Sequence, residues 1–216
     1  ESWLHCNPGS EDLPAYMTRP TAALQRLGAS VAYHSMADLG TLDLSPCKLA
    51  IFPALFVVDD ARRRLLAERV CRDGRTVLWF DRAGIIADGR YDPANVEQLC
   101  GMSPGGTGLT RRDMGDWYSV VAHEPIDDPA VFRAVAREAG VHLYVEDGDP
   151  VWATADLVAV HTAAAGEKTI RLPHRAAEVR ELFSGRLVAT DVDTFRDVFA
   201  APATHLYHCT ATSAQA

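Results

Sequence analysis

The hydrophobic pattern of this chain changes period near Val141. Upstream, strand-like apolar runs alternate with helix-spaced ones; from Val141 to Cys209 short strand-like segments succeed one another, cut by turn residues. A helix buries a stripe and a strand buries a face, so a chain that abandons one period for the other builds two modules of different class. Its 216 residues, 48% of them apolar, suffice for a core in each.

The first module is marked by helix punctuation. Pro20 suits the first turn of a helix with Ala23, Leu24 and Leu27 on its apolar face and Gly28 as its stop, and Val31 to His34 reads as a strand. Leu49 to Phe56 is the near-continuous apolar run expected of a strand covered on both faces. Asp59 and Asp60 offer N-caps for a helix closed by Gly74, Thr76 to Phe80 is a second buried strand, and Asp92-Pro93 opens a short helix ending at Gly101. After the glycine-rich loop Ser103 to Thr110, Trp117 to His123 reads as a strand. Asp128-Pro129 then starts a helix with Val131, Phe132, Val135 and Ala139 at helical spacing and Gly140 as its stop. Helix and strand alternate with short joints, which predicts an open parallel sheet. Only the weak Trp3 to Cys6 precedes the first helix, so strand one is expected to lie there or upstream of Glu1.

From Val141, seven segments (VHLYV, PVWAT, DLVAVHT, KTIRL, EVRELF, RLVAT and THLYHC) are separated by Asp-Gly, Ala-Gly, Pro-His and Ser-Gly punctuation, the signature of a small antiparallel sandwich or barrel. Leu157 to Val160 does not alternate apolar with polar, which predicts a strand covered on both faces. The predicted boundaries are therefore 1–140 and 141–216.

Charge and composition exclude several function classes. A net charge of −8 repels nucleic acid, and the arginines cluster only at Arg62 to Arg64. The longest apolar run, Leu49 to Val58, is interrupted by Pro53 and is too short for a bilayer core of roughly 30 Å. No signal-peptide pattern opens the chain. Cys6, Cys47, Cys71, Cys100 and Cys209 are scattered and odd in number, which predicts free thiols in a reducing, cytoplasmic setting.

No constellation completes a catalytic set. The loop Gly101 to Gly108 has glycines but no following Lys-Ser or Lys-Thr, so it is not a P-loop. After the strand Thr76 to Phe80, a dinucleotide site would need three glycines and has one, Gly84. An acyl-transfer enzyme would carry Cys or Ser on that elbow, and Asp81, Arg82 and Ala83 stand there instead. Asp81 and Arg82 remain the candidate ligand or interface residues, because open sheets bind ligands at the carboxyl ends of their strands; the plainer alternative is an ion pair holding a turn. His205 and His208, three apart in a strand, point to opposite faces, and the other histidines lack metal-ligand spacing. Asp191, Asp193 and Asp197 lack the glycine and closing glutamate of a calcium loop and read as a solvated strand edge. Glu146, Asp147 and Asp149 could serve as paired carboxylates, though an Asp-Gly turn explains them too. No cofactor or metal is expected.

AGVHLY at 139–144, DPVWA at 149–153, VAVH at 158–161, GEKTIRLP at 166–173 and ELFSG at 181–185 resemble the C-terminal part of bacterial β-galactosidase-like glycoside hydrolases of the family 42 kind. The likeness is strongest over 139–185 and looser upstream, at Leu13-Pro14-Ala15 and Leu49 to Phe56. The resemblance implies a flavodoxin-like, class I glutamine amidotransferase-like α/β domain used for trimerisation, followed by a small β-domain. The family's catalytic glutamates sit in a (β/α)₈ barrel of roughly 250 residues that this chain does not contain. The expected role is therefore accessory and oligomerising, with self-association as a trimer or an upstream catalytic barrel as partner, and Trp3, Phe56 and Trp117 as contributors to the contact. The alternative is a carbohydrate- or small-ligand-binding protein with its ligand near Phe52 to Leu55 and Asp81-Arg82. An enzyme in its own right would need an acid or nucleophile that the sequence does not offer.

Overall fold

In the computed structural model, residues 13–211 are described; the expectations at Trp3 to Cys6 lie outside them. The chain divides into two compact units. One holds the described residues up to Ala22 with Tyr33–Asp128 and Glu138–Gly140; the other holds Ala23–Ala32, Pro129–Arg137 and the chain from Val141 onward. Two stretches from before residue 140 thus group with the C-terminal part.

The first unit is built on a four-stranded sheet of β1 (Leu49–Phe52), β2 (Thr76–Phe80), β5 (Leu109–Asp113) and β6 (Tyr118–Ala122), in the order β1-β2-β6-β5. β1, β2 and β6 are parallel and β5 runs antiparallel at the edge. Between β2 and β5 a two-stranded ribbon, β3 (Ile86–Ala87) with β4 (Arg90–Tyr91), closes a small hairpin. β2 is buried at all five positions, as the unbroken apolar run TVLWF requires. Trp79 anchors it: its ring stacks on Phe52 at 5.0 Å, meets Trp117 edge-on at 6.4 Å, and its indole N–H donates to Ser119 Oγ at 3.1 Å. An indole so buried needs that hydroxyl, because an unpaired N–H there costs about 1–3 kcal/mol.

The helices follow their caps. The side chain of Asp59 accepts from Arg62 N at 2.8 Å and starts α2 (Asp60–Arg69). That helix ends at Val70, before the predicted stop at Gly74, because the Arg75 guanidinium takes over its last carbonyls. Arg75 is buried and donates to Arg69 O (3.1 Å), Val70 O, Cys47 O and Leu44 O (2.8 Å each), placing a cation at the negative end of the helix. Asp92 caps α3 (Pro93–Cys100), and Gly101, at φ 73°, closes it in the left-handed conformation.

Two expectations fail in the stretch 31–113. Val31 to His34 forms no strand, because no described strand offers it a ladder, and Tyr33 is 54% exposed. The glycine-rich segment ends earlier than expected: β5 begins at Leu109, with all five residues exposed, so neither face carried an apolar signal.

The second unit begins with the end of α1 (Arg19–Gln25), which follows a π-helical turn, Pro14–Thr18. Gly28 (φ 82°) then passes so close to Val145 that a Cβ there would sit 2.0 Å from the Val145 carbonyl oxygen; only glycine fits. α4 (Pro129–Glu138) matches the predicted helix, with Phe132, Val135 and Ala136 buried. The five remaining strands, β7 (Val151–Ala153), β8 (Leu157–Thr162), β9 (Gly166–Glu181), β10 (Leu187–Phe199) and β11 (Ala203–Ala211), form one antiparallel sheet in the order β10-β9-β11-β8-β7. Phe195 of β10 meets Tyr207 of β11 at 4.9 Å although β9 lies between their strands in the ladder. The sheet therefore folds over onto itself in sandwich fashion, around Val145, Val158, Val160, Ile170, Val179, Phe195, Phe199 and Tyr207.

Three readings change here. VHLYV is not a strand. KTIRL and the first four residues of EVRELF are not separate strands: both lie in β9, and the Pro173-His174 punctuation falls where 172–175 stand opposite Asp193 alone. A bulge needs no ladder N–H at that point, so proline is tolerated. β8 is not covered on both faces: its burial alternates, with Val158 and Val160 inside and Leu157 and Ala159 half-exposed.

Candidate functional site

Asp81 and Arg82 lie just past the carboxyl end of β2, in the turn 81–84. Tyr16, from the π-helical turn, is buried, with its ring edge-on to Phe56 at 5.0 Å and tilted against Phe80 at 6.3 Å. Its hydroxyl donates to both carboxylate oxygens of Asp81, at 2.8 and 2.9 Å. The Arg82 Nε donates to Asp81 Oδ2 at 3.2 Å while the guanidinium lies 5.2 Å from the centre of the Tyr16 ring, a cation–π distance. Arg82 holds φ 63°, the left-handed region that non-glycine residues enter at a cost. The turn is pinned by Gly84 N–H donating to Leu55 O at 2.7 Å, which brings the two sequence-predicted ligand segments, Phe52 to Leu55 and Asp81-Arg82, side by side.

The arrangement offers a half-exposed guanidinium edge and a carboxylate already occupied by a phenol. It can orient a hydroxyl or oxyanion; the turn 81–84 holds no serine or cysteine, and the Tyr16 hydroxyl beside Asp81 belongs to a buried side chain. Among the described strands the order β1-β2-β6 shows no reversal. At the opposite, amino end of β1 and β2 lies a polar recess of about 550 Å³ lined by Ser45, Cys47, Lys48, Asp73, Arg75 and Gly140. There Lys48 Nζ donates to Gly140 O at 2.7 Å, and Arg75 spends four of its five N–H donors on the carbonyls already named.

The predicted interface aromatics are corrected. Phe56 and Trp117 are buried core residues, at 7% and 9% exposure, and cannot line an outer patch; Trp3 lies outside the described residues.

In the second unit the structure gathers residues that sequence reasoning treated separately. Asp197, expected on a solvated edge, is buried, and the Arg186 guanidinium donates to both its oxygens at 2.7 and 2.8 Å. Tyr207 donates to it at 2.9 Å, Val198 N–H at 2.9 Å, and His205 Nδ1 lies 3.2 Å away. Burial alone would raise the Asp197 pKa; the hydrogen bonds from Arg186, Tyr207 and Val198 outweigh it and hold the carboxyl below its ordinary value. Burial beside that carboxylate pushes the Tyr207 phenol far up. With its lone pairs taken, Asp197 is a structural anchor and not a proton donor. Asp149 likewise leaves its turn to face Lys168, whose Nζ lies 2.9 Å from Asp149 Oδ2 and 3.5 Å from Asp147 Oδ2. Asp191, Asp193 and Asp197 share one strand and one parity, so strand alternation by itself would put all three on the same face. The register shift between Val192 and Thr194 separates the exposed pair from the buried member, and it carries no mark in the sequence. Among the described residues, no three His, Cys, Asp or Glu side chains converge as metal ligands, and no helix is long and apolar enough to cross a membrane.

The described residues thus form one unit built on an open α/β sheet and one built on a folded antiparallel sheet. Comparison with solved structures gives the relatives. The chain is similar to a β-galactosidase from Bacillus circulans sp. alkalophilus (16% identity, TM-score 0.67), covering 90% of this chain and 38% of that one. It is similar to a catalytic mutant of a GH42 β-galactosidase from G. stearothermophilus (12%, TM-score 0.63, 94% and 38%). A third likeness is to a β-galactosidase from the haloarchaeon Halorubrum lacusprofundi (15%, TM-score 0.59, 91% and 35%). At such identities the likeness is one of fold: the chain folds as a part of these enzymes does, and spans little more than a third of their length. No protein-family model and no curated protein matches the sequence.

Proposed function

We propose that this chain is a non-catalytic accessory and oligomerisation portion of a β-galactosidase-like glycoside hydrolase, its α/β unit being of the amidotransferase-like, trimerising kind. The observation that carries the reading is the extent of the likeness: nearly all of this chain against about 38% of two β-galactosidase chains. The elbow residues Asp81, Arg82 and Ala83 support it, since none is the thiol or hydroxyl nucleophile that acyl transfer needs. An upstream catalytic barrel is the natural partner, and the free thiols at Cys47, Cys71, Cys100 and Cys209 suit a cytoplasmic setting. On the α/β unit the exposed apolar side chains are Met17, Tyr33, Tyr91 and Leu109, and these replace Phe56 and Trp117 as candidates for the subunit contact. Light scattering across a concentration series tests it. A mass in multiples of three that falls when Tyr91 and Leu109 are changed to serine is expected; a monomer at every concentration overturns the oligomerisation role.

The second reading is a carbohydrate- or small-ligand-binding protein, favoured by the strained, half-exposed Arg82 beside Asp81 and Leu55. Calorimetric titration with galactose and lactose, compared between the native chain and Arg82→Ala, decides it. Saturable heat lost in the variant supports binding at this turn, and no heat removes it.

A further inference from the structure

β8 is the strand whose sequence does not alternate although its burial does. Leu157 and Ala159 therefore point away from the core, and the ladder shows what they join. One row across the outer face runs Trp152, Ala159, Leu206 and, through Leu182 N–H donating to Leu206 O at 2.8 Å, Leu182. The next row runs Leu157, His208, Arg180 and Leu187. Trp152 is 55% exposed, Leu182 43%, Leu187 46%, and Phe183, at the tip of the β9–β10 hairpin, 72%.

That hairpin tip is held rigidly. The buried Glu181 carboxylate accepts from Phe183 N, Ser184 N and Ser184 Oγ at 3.1, 2.8 and 2.6 Å, and Arg186 is clamped on Asp197. A tip braced by buried charges and yet carrying Leu-Phe keeps an aromatic side chain in water at little conformational freedom, the form of a preorganised contact.

We propose that this outer face of the β unit is a contact between two copies of the chain. It is a different surface from the α/β contact proposed above and does not rest on that reading. Size is the first reason. The exposed parts of Trp152, Phe183, Leu182 and Leu187 with the half-exposed Leu157 and Leu206 amount to roughly 400–500 Å² of apolar surface. A standard interface buries about 800 Å² on each partner, a little over half of it apolar, so the patch matches one side of such a contact. Charge is the second reason. The face carries both signs, with Arg180 beside Glu178 (3.3 Å), His208 beside Asp156 (3.7 Å), and the polar pair His161–Thr204 at 2.8 Å. A face with both signs is complementary to itself, as a two-fold contact requires. Shape is the third: with the two-fold axis parallel to the strands, Leu206 of one copy lies over the small Ala159 of the other, and each Trp152 over the partner copy's Leu182.

The test is the solution mass of the native chain beside Trp152→Ala/Phe183→Ser, two changes at side chains too exposed to threaten the fold, and beside Ala159→Arg, which fills the central seat. The native chain is expected to show an even-numbered mass, a dimer by this face alone or a hexamer if the α/β unit also makes trimers. Both variants should halve it while thermal unfolding stays unchanged, and Trp152 fluorescence should shift to shorter wavelength as the native chain is concentrated. An odd-numbered oligomer, or one whose mass both variants leave intact, overturns this contact and leaves the α/β reading standing. Loss of oligomer only on changing Tyr91 and Leu109 does the same, and a monomer throughout overturns both.

Discussion

β2 and β8 are both runs of apolar residues, TVLWF and LVAV, and the structure treats them oppositely. β2 is covered on both faces and buries every residue; β8 is covered on one and buries every second residue. An unbroken apolar run is thus consistent with two situations, a central strand in a covered sheet or a half-covered strand whose outer residues await a partner. The difference lies in what packs on the second face, which is a tertiary matter.

The contrast between the two strands is tested most severely at Trp79. Trp79→Ala removes the ring stacked on Phe52 and its hydrogen bond to Ser119 Oγ, and should cost roughly 3–5 kcal/mol, measured as a shift of the urea midpoint. In β8 the effect should depend on parity. Val160→Ala, at a fully buried position, is expected to cost about 2 kcal/mol, whereas Leu157→Thr, one face away, should stay within about 0.5 kcal/mol. Equal costs at the two positions would mean that the outer face is covered within a single copy.

Acid separates the two units more mildly. Asp197 and Glu181 of the β unit both have lowered pKa values, against the opposing push of burial, so they bind protons less readily folded than unfolded. Their contribution to stability is present above the unfolded carboxyl range of about 4 and is lost as pH falls through the lower folded values. Urea midpoints measured from neutrality down to acid should decline below about pH 4. Asp197→Asn should be less stable at neutrality and decline less steeply, Glu181 and the exposed Asp43 and Asp191 supplying the remaining slope. The smallest effect concerns the thiols. Burial pushes Cys71 and Cys100 up to about 12 and Cys209 up to about 11, so at mildly alkaline pH a thiol reagent should modify all three slowly, and rapidly only after denaturation.

Much of the fold was legible in local signals. Asp92-Pro93 and Gly101 bracket α3, the TVLWF run is β2 to the residue, and Asp128-Pro129 opens α4, because caps, proline and glycine act on their own neighbours. The candidate site was legible in part. The carboxyl end of β2 follows from the strand, but Tyr16, which lies 65 positions away from Asp81 and holds its carboxylate, carries no sequence mark. The buried roles of Asp149 and Asp197 were hidden for the same reason, since each depends on a cation, Lys168 or Arg186, brought from another segment.

The order of residues alone dictated the ends of α3, the start of α4 and the most buried strand, all of them short-range consequences of side-chain period and backbone restriction. Long-range packing was needed to settle that Val31 to His34 would find no ladder, that β9 would run on through Pro173 by way of a bulge, and that Leu157, Ala159 and Leu206 would share an outward face. Strand pairing and burial are properties of partners distant in the chain. A segment records which face it could bury, and the fold determines whether anything arrives to cover it.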